Sequence, residues 1–249
     1  MLEEEEENID KEINNKNEEQ EDDFDDNEED EEILIKKIEK LDEYQLPYKY
    51  IFRLCLLGDP GVGKTSLITR FCDGSFKENY NNTIGVDFRL ASLKYKKIIT
   101  KVHIWDTAGQ ERFRSLALNY INNSHGFAFV YDITDKKSYE NITNWISIAL
   151  DKNKNSKFNF LIGNKSDKEN ERQISQNEAE KLAKSKNLIF LETSAKNDEN
   201  VKKLFYYFTI KLIKYYKNNN YEEEDSIHLT SSKTEELATT RPSQSKCSC

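Results

Sequence analysis

The residues with the plainest chemical purpose form the run Gly58-Asp59-Pro60-Gly61-Val62-Gly63-Lys64-Thr65, set between the apolar run Ile51 to Leu57 and the helix-like run Ser66 to Cys72. A strand, a glycine-rich loop and a helix in that order aim backbone N–H groups and a helix N-terminus at one point, which favours anionic oxygens there. The glycines let the backbone close on a ligand. Lys64 then reaches the β- and γ-phosphates of a nucleotide as a point charge. The Thr65 hydroxyl is placed to ligate Mg²⁺, and Ser66 extends the same lining. A chance glycine turn is the competing reading, and the motifs that follow weigh against it.

Asp106-Thr107-Ala108-Gly109-Gln110 comes after a strand-like run ending at Ile104-Trp105. It brings a carboxylate to the Mg²⁺ region and a glycine under the γ-phosphate. Asp106 is expected to hold the metal through water. Gln110 is expected to orient the attacking water, because phosphoryl transfer depends more on positioning and charge stabilisation than on strong base chemistry. Taken alone, Gln110 would read as a surface glutamine. Two further tetrapeptides, Asn164-Lys165-Ser166-Asp167 and Thr193-Ser194-Ala195-Lys196, follow apolar runs. That puts both at strand C-termini, where open α/β sheets bind ligands. A carboxylate at Asp167 accepts from both the ring N–H and the exocyclic amine of guanine, a pair that adenine lacks. The Lys165 stem is expected to cover the base and the Ala195 N–H to reach its carbonyl oxygen, so the set selects GTP over ATP.

The elements that must hold these residues follow from pattern. Short apolar runs near 50–57, 86–95, 98–105, 126–132, 158–163 and 188–193 alternate with helical patterns near 64–73, 137–150, 175–186 and 200–217. That alternation predicts an α/β fold: a doubly wound, mostly parallel six-stranded sheet with one antiparallel edge hairpin, flanked by helices. Ser175 with Glu178 makes a capping box, and Val201, Leu204, Phe205, Phe208 and Leu212 share one apolar helix face. The hairpin tip Tyr95-Lys96-Lys97 has no glycine or asparagine to ease a tight turn.

A hydrophobic content of 36% over 249 residues suits one core diluted by polar ends. The net charge of −9 is uneven: residues 1–32 carry 19 acidic residues against two lysines, net −17, and the remainder is +8. Residues 1–47 are therefore expected to be an acidic, largely disordered extension, with a short helix within Ile33 to Tyr44. The acidic block reads either as a solvated tail or as an electrostatic competitor for basic surface. Residues 48–217 form the domain, and 218–249 a flexible tether. The mildly basic core has no basic-aromatic stripe or nucleic-acid motif, so no nucleic-acid partner is expected. The acidic N-terminus offers no signal-peptide core and no apolar run approaches membrane-spanning length, which points to the cytosol. Cys55 and Cys72 read as reduced, buried packing residues.

Residues 48–217 resemble a small GTPase of the Ras superfamily, specifically the Rab family, with its P-loop nucleotide-hydrolase fold. The likeness rests on the motifs above together with Thr83-Ile84-Gly85-Val86-Asp87-Phe88, Gln110-Glu111-Arg112-Phe113-Arg114-Ser115-Leu116, Tyr131-Asp132-Ile133-Thr134 and the terminal Cys247-Ser248-Cys249. The resemblance implies that Thr83 senses the γ-phosphate and Mg²⁺, Phe76 stacks near guanine, and Tyr80 covers the phosphates. It implies that Phe88, Trp105 and Tyr120 face effectors and that Cys247 and Cys249 carry prenyl lipids. It further implies a monomeric GTP/GDP switch of vesicle traffic on the cytoplasmic face of an intracellular membrane, cycling with the cytosol. The partners implied are an exchange factor, a GTPase-activating protein, effectors, a prenylation escort and a membrane-extraction protein. No arginine within the motifs reads as a catalytic finger, so turnover alone is expected to be slow. A GTP-binding, effector-recruiting module with little hydrolysis is the alternative. Two departures stand out: Pro60, where the family usually has a small residue, and Leu118 to Ser124, which replaces the usual Tyr-Tyr-Arg-Gly-Ala segment.

Overall fold

Most strands of the sheet run parallel, the arrangement that helical crossovers between successive strands allow. The computed structural model describes residues 31–42, 46–78, 85–107 and 120–219. Two units divide the chain, Met1–Leu34 and Ile35–Cys249. Of the first, only residues 31–34 are described, the start of helix α1 (Glu31–Lys36). The second holds a seven-stranded sheet of order β1-β3-β4-β2-β5-β6-β7. Its strands are β1 (Ile38–Leu41), β2 (Tyr50–Leu57), β3 (Val86–Tyr95), β4 (Ile98–Thr107), β5 (Gly126–Asp132), β6 (Phe160–Asn164) and β7 (Ile189–Thr193). Strands β4, β2, β5, β6 and β7 are parallel, while β3 and β1 are antiparallel to their neighbours. The helices are α2 (Lys64–Asp73), α3 (Lys136–Lys152), α4 (Gln176–Ser185) and α5 (Val201–Asn218).

Alternation along the strands builds the two faces of the core. Cys55 and Leu57 of β2 and Phe127, Phe129 and Tyr131 of β5 pack with Ile142, Trp145 and Ile146 of α3 and Ala179 and Ala183 of α4. On the opposite face lie α2 and α5, where Phe71 stacks on Phe205 with centroids 4.1 Å apart. The apolar stripe of α5 is wholly buried, from Val201 to Leu212. Ser175 caps α4 as its sequence indicates, its hydroxyl accepting from the Glu178 N–H at 3.2 Å. Asp135 caps α3, accepting from the Lys137 N–H at 3.0 Å.

Two expectations are corrected. The helix placed within Ile33 to Tyr44 ends at Lys36, and residues 38–41 form a seventh strand pairing Ile38 with Tyr95 through Leu41 with Ser92. The physical reason is tertiary. Pairing satisfies ladder groups along the edge of β3, and the Lys40 ammonium donates to the Phe71 carbonyl at 3.1 Å and to that of Cys72, at the negative end of α2. Cys72 is only half-buried, whereas Cys55 is fully buried. At the hairpin tip, Lys96 itself takes φ 54°, the left-handed conformation usually given to glycine or asparagine. The acidic block, apart from Glu31 and Glu32, and the tether beyond Asn219 lie outside the described residues.

Candidate nucleotide site

Strand register places the chemistry at one edge of the sheet. Leu56 of β2 lies beside Asp106 of β4, and Asp132, Asn164 and Thr193 fall in one row across β5, β6 and β7. These are strand C-termini, with β2 between β4 on one side and β5 on the other, so that the strand order reverses here, the point where such sheets take ligands. A cavity of about 440 Å³ opens there. It is lined from the β2–α2 loop by Pro60, Gly61, Gly63, Lys64, Thr65 and Ser66, from the segment after α2 by Phe76, from the β6 loop by Asn164, Lys165 and Asp167, and from the β7 loop by Ala195 and Lys196. The structure thus brings together residues as far apart in the chain as Pro60 and Lys196 that the sequence singles out.

Two glycines are dictated by close approach. A Cβ on Gly58, at φ 149°, would lie 2.1 Å from the Val130 carbonyl oxygen. One on Gly63, at φ 98°, would lie 2.2 Å from Asn164 Nδ2. Both conformations also disfavour any side chain. The loop closes on the Lys64 ammonium, which donates to the carbonyls of Gly58 and Asp59 at 2.8 Å each. Burial lowers the Lys64 pKa to about 8, although the carboxylates of Asp106 and Asp59 pull the other way. Cys55, behind the lysine, is held as the neutral thiol by burial and by Asp106. Thr65 Oγ1 donates to Asp106 Oδ2, and Thr107 Oγ1 ties the end of β4 to the Leu56 carbonyl at 2.7 Å.

Some predicted residues serve the site by another route than their side chains. Val62 is buried, and its carbonyl accepts from Asn164 Nδ2 at 2.8 Å, joining the β2–α2 loop to the β6 loop. The Asp59 carboxylate turns from the cavity to α3, accepting from Trp145 Nε1 at 2.9 Å and Asn141 Nδ2 at 2.7 Å. Asn141 and Trp145 carry no local signal of this role in the sequence. Pro60 is exposed at the cavity rim.

The loops after β6 and β7 are fixed by side-chain bonds. Asn164 Oδ1 accepts from Thr193 Oγ1 at 3.2 Å, and Asp167 Oδ1 accepts from Ser194 Oγ at 2.5 Å. Ser194 in turn accepts from the Asn197 N–H at 3.0 Å. Lys165, at φ 69°, sets its ammonium 2.6 Å from Asp132 Oδ2, while Asp132 Oδ1 accepts from Thr134 N–H and Oγ1. Arg70 of α2 donates to the carbonyls of Ala195 at 2.8 Å and Lys196 at 3.0 Å and lies 5.9 Å from the Phe76 ring. Behind them Arg172 forks onto Glu192 at 2.7 and 2.8 Å and also binds Glu169, interactions that raise its pKa further. Asp132, Arg70, Arg172 and Glu192 are absent from the sequence-based set of site residues.

Phe88, Trp105 and Tyr120 form a continuous aromatic row, with centroids 4.6 Å apart for the first pair and 4.4 Å for the second. Phe88 is 41% exposed, high for so large an apolar ring. Tyr80, Thr83, Gly109, Gln110, Cys247 and Cys249 lie outside the described residues.

The sequence model of the Ras family matches residues 53–214. The chain is 43% identical over 158 residues to the Ras-related protein Rab-13 of Bos taurus, covering 64% of this chain and 78% of that one. It is 42% identical over 159 residues to the Ras-related protein SEC4 of Candida albicans, covering 64% and 76%. The cavity, its lysine and the loops after β6 and β7 that line it all fall within the matched stretch, and the chain belongs to the Ras family: it is a Rab-like small GTPase, a GTP-hydrolysing switch of vesicle traffic.

Proposed function

We propose that guanine selection, Mg²⁺ binding and hydrolysis in this chain rest on Asp167, on Thr65 with Asp106 and Thr83, and on Gln110 respectively. The observation that carries the reading is the shared cavity: Asp167, oriented by Ser194, opens onto the space that Lys64 and Thr65 line from the other side. Ras-family GTPases are generally Mg²⁺-dependent. The donors here suit that ion, because the Thr65 hydroxyl and Asp106 carboxylate are hard oxygens already hydrogen-bonded to each other. When bound, Mg²⁺ supplies charge neutralisation at the β- and γ-phosphates.

The chain's own residues do the remaining work. The loop amides and Lys64 hold the phosphates, Phe76 and the Lys165 stem flank the base, and the Ala195 N–H meets its carbonyl. Tyr80 covers the phosphates, Gly109 lets the backbone approach the γ-phosphate, and Gln110 holds the attacking water in line. GTP then orders the segments around Thr83 and Gln110, effectors bind the row Phe88, Trp105 and Tyr120, and hydrolysis releases them. An activating protein is expected to raise turnover by roughly 10³- to 10⁵-fold. Cys247 and Cys249 both carry lipids, because one chain alone gives marginal attachment. The protein so anchored works on the cytoplasmic face of an intracellular membrane, with exchange factor, escort and extraction protein as its other partners.

Single-turnover hydrolysis with the full chain tests this reading. GTP should turn over with Mg²⁺ and stall when the ion is chelated, and ATP should not compete. Gln110→Leu should keep GTP affinity while losing roughly 100-fold or more in partner-stimulated rate. Equal affinity for ATP would overturn the base assignment, and a Gln110→Leu rate equal to the parent's would remove that residue from catalysis.

A further inference from the structure

The end of the sheet opposite the nucleotide cavity carries a cluster of lysines and tyrosines that the GTPase cycle does not use. Lys101 Nζ lies 4.2 Å from the Tyr48 ring, and Lys49 Nζ 5.6 Å from the Tyr50 ring. Tyr50 meets Tyr216 at 5.7 Å, Tyr216 meets Tyr215 at 5.9 Å, and Lys157 Nζ lies 5.2 Å from Tyr215. Backbone bonds hold two of these lysines in place. The Lys49 N–H donates to the Ile99 carbonyl and the Lys157 N–H to that of His125, each at 2.8 Å. All of these positions are strand beginnings or the last turns of α5, so they share one end of the domain. Lys49, Lys154 and Lys157 are exposed there, with Lys101 and Lys214 half-exposed. The neighbouring acids Glu39 and Asp151 are engaged by Lys94 at 3.3 Å and Ser147 at 3.3 Å.

Two facts about the rest of the chain say what this end meets. α5 ends at Asn218, so residues 220–249 leave from this same end. Thirty residues obeying random-coil statistics would span roughly 30 Å, so a surface holding the terminal cysteines would stay within reach of this face of the domain. Residues 218–249 hold six acidic residues against three basic ones, net −3. The tether thus supplies no basic patch of its own, and lysines on the folded domain are the available cations. Tyrosine rings with an apolar body and polar tip, interleaved with ammonium groups on long stems, suit the headgroup layer of a bilayer.

We infer that this lysine and tyrosine end, centred on Lys49, Lys101, Lys157, Tyr48 and Tyr215, is a docking surface for anionic phospholipid headgroups, acting beside the terminal lipids. The inference rests on the reading that the chain works at a membrane, and its test uses unlipidated full-length protein so that the two stand or fall separately.

The experiment is cosedimentation with vesicles of phosphatidylcholine alone or with phosphatidylserine, at low and high salt. The parent should bind only the anionic vesicles, and less at high salt. Lys49→Gln, Lys101→Gln and Lys157→Gln together should reduce that binding by about 100-fold, near fivefold per lysine. Lys136→Gln, Lys137→Gln and Lys202→Gln, which remove the same charge at the starts of α3 and α5, should leave it unchanged. Circular dichroism and GDP affinity matching the parent verify the fold of each variant. Equal binding to neutral vesicles, equal loss in both triple variants, or no binding by the parent would each overturn the proposal. A change in oligomeric state in the first triple, without vesicle binding, would also overturn it and make the face an interface between copies. If the terminal lipids prove absent, the vesicle result still decides the surface.

Discussion

The two halves of the nucleotide cavity are built from different materials. On the phosphate side the contacts are backbone: a loop whose carbonyls hold Lys64, and glycines whose missing side chains leave room for Val130 and Asn164. On the base side they are side chains fastened to one another: Asp167 to Ser194, Asn164 to Thr193, Lys165 to Asp132 and Arg172 to Glu192. With the residue roles proposed above, the difference follows the ligand. Phosphate oxygens are alike in every nucleotide, so converging N–H groups and one cation suffice, whereas a base is told apart only by donors and acceptors at fixed angles. Discrimination therefore requires rigid side chains, and rigid side chains require partners.

The sharpest way to break this contrast is to remove one reader from each half. Lys64→Met should lower affinity by roughly 10³-fold or more for GTP, GDP and xanthosine nucleotides alike, since it subtracts a charge-assisted contact common to all. A titration with nucleotides of several bases checks this, and a base-dependent loss would contradict the division. The same lysine gives a pH signature. Its pKa is near 8 without ligand and rises when phosphate favours the charged form, so binding takes up a proton above pH 8. Affinity should accordingly hold below pH 8 and fall above it, by at most about tenfold per unit, while Lys64→Met shows no such fall. Calorimetry in buffers of different ionisation enthalpy measures the proton directly.

Asp167→Asn comes next and should act on the base alone. GTP affinity should drop roughly 100-fold and xanthosine triphosphate affinity rise, because that ring presents a carbonyl where guanine has its amine. Unchanged GTP binding would remove Asp167 from recognition.

How far each half could be read from the chain follows the same division. The loop from Gly58 to Thr65 is local: glycines, lysine and threonine lie in eight consecutive residues between a strand and a helix, and the structure keeps them there. The tetrapeptides Asn164 to Asp167 and Thr193 to Lys196, proposed to read the base, were visible for the same reason, as short motifs behind apolar runs that the structure places on the cavity. Their supports were not. Arg172 meets Glu192 across 20 residues and Trp145 meets Asp59 across 86, and charged or aromatic residues at such distances leave no periodic signal. The edge strand β1 escaped because Leu34, Ile38 and Leu41 fit a helical stripe, whereas an open edge on β3 and the carbonyls ending α2 decide the outcome. The aromatic row of Phe88, Trp105 and Tyr120 came from family likeness, since three rings spread over 33 residues announce no common surface.

Arg172→Met tests whether the hidden supports matter to selection. The fork onto Glu192 is about one-sixth exposed on each side, so losing it leaves a partly buried carboxylate unpaired, a cost on the order of 2 kcal/mol. Thermal or denaturant unfolding should report that loss. Guanine affinity should fall about tenfold while the affinity for inorganic pyrophosphate stays level, because the loop from Lys165 to Glu171 loses its brace and the phosphate loop does not. Adding Glu192→Gln should recover part of the stability, since the stranded charge is then gone.

The smallest expected effect falls on the one place where the phosphate half borrows the other half's method. The Asp59 carbonyl that receives Lys64 belongs to a residue whose carboxylate is pinned by Trp145 and Asn141 of α3. Trp145→Phe keeps an aromatic ring in the buried cluster and removes a single donor, so about 1 kcal/mol should be lost from folding. If the pin also fixes the loop, phosphate affinity should drop about threefold to fivefold with no change in base preference, and the drop should be absent in a Lys64→Met background. A loss of base preference would place α3 in the base-reading network instead. Full additivity with Lys64→Met would show that the loop keeps its shape from its own glycines and backbone alone.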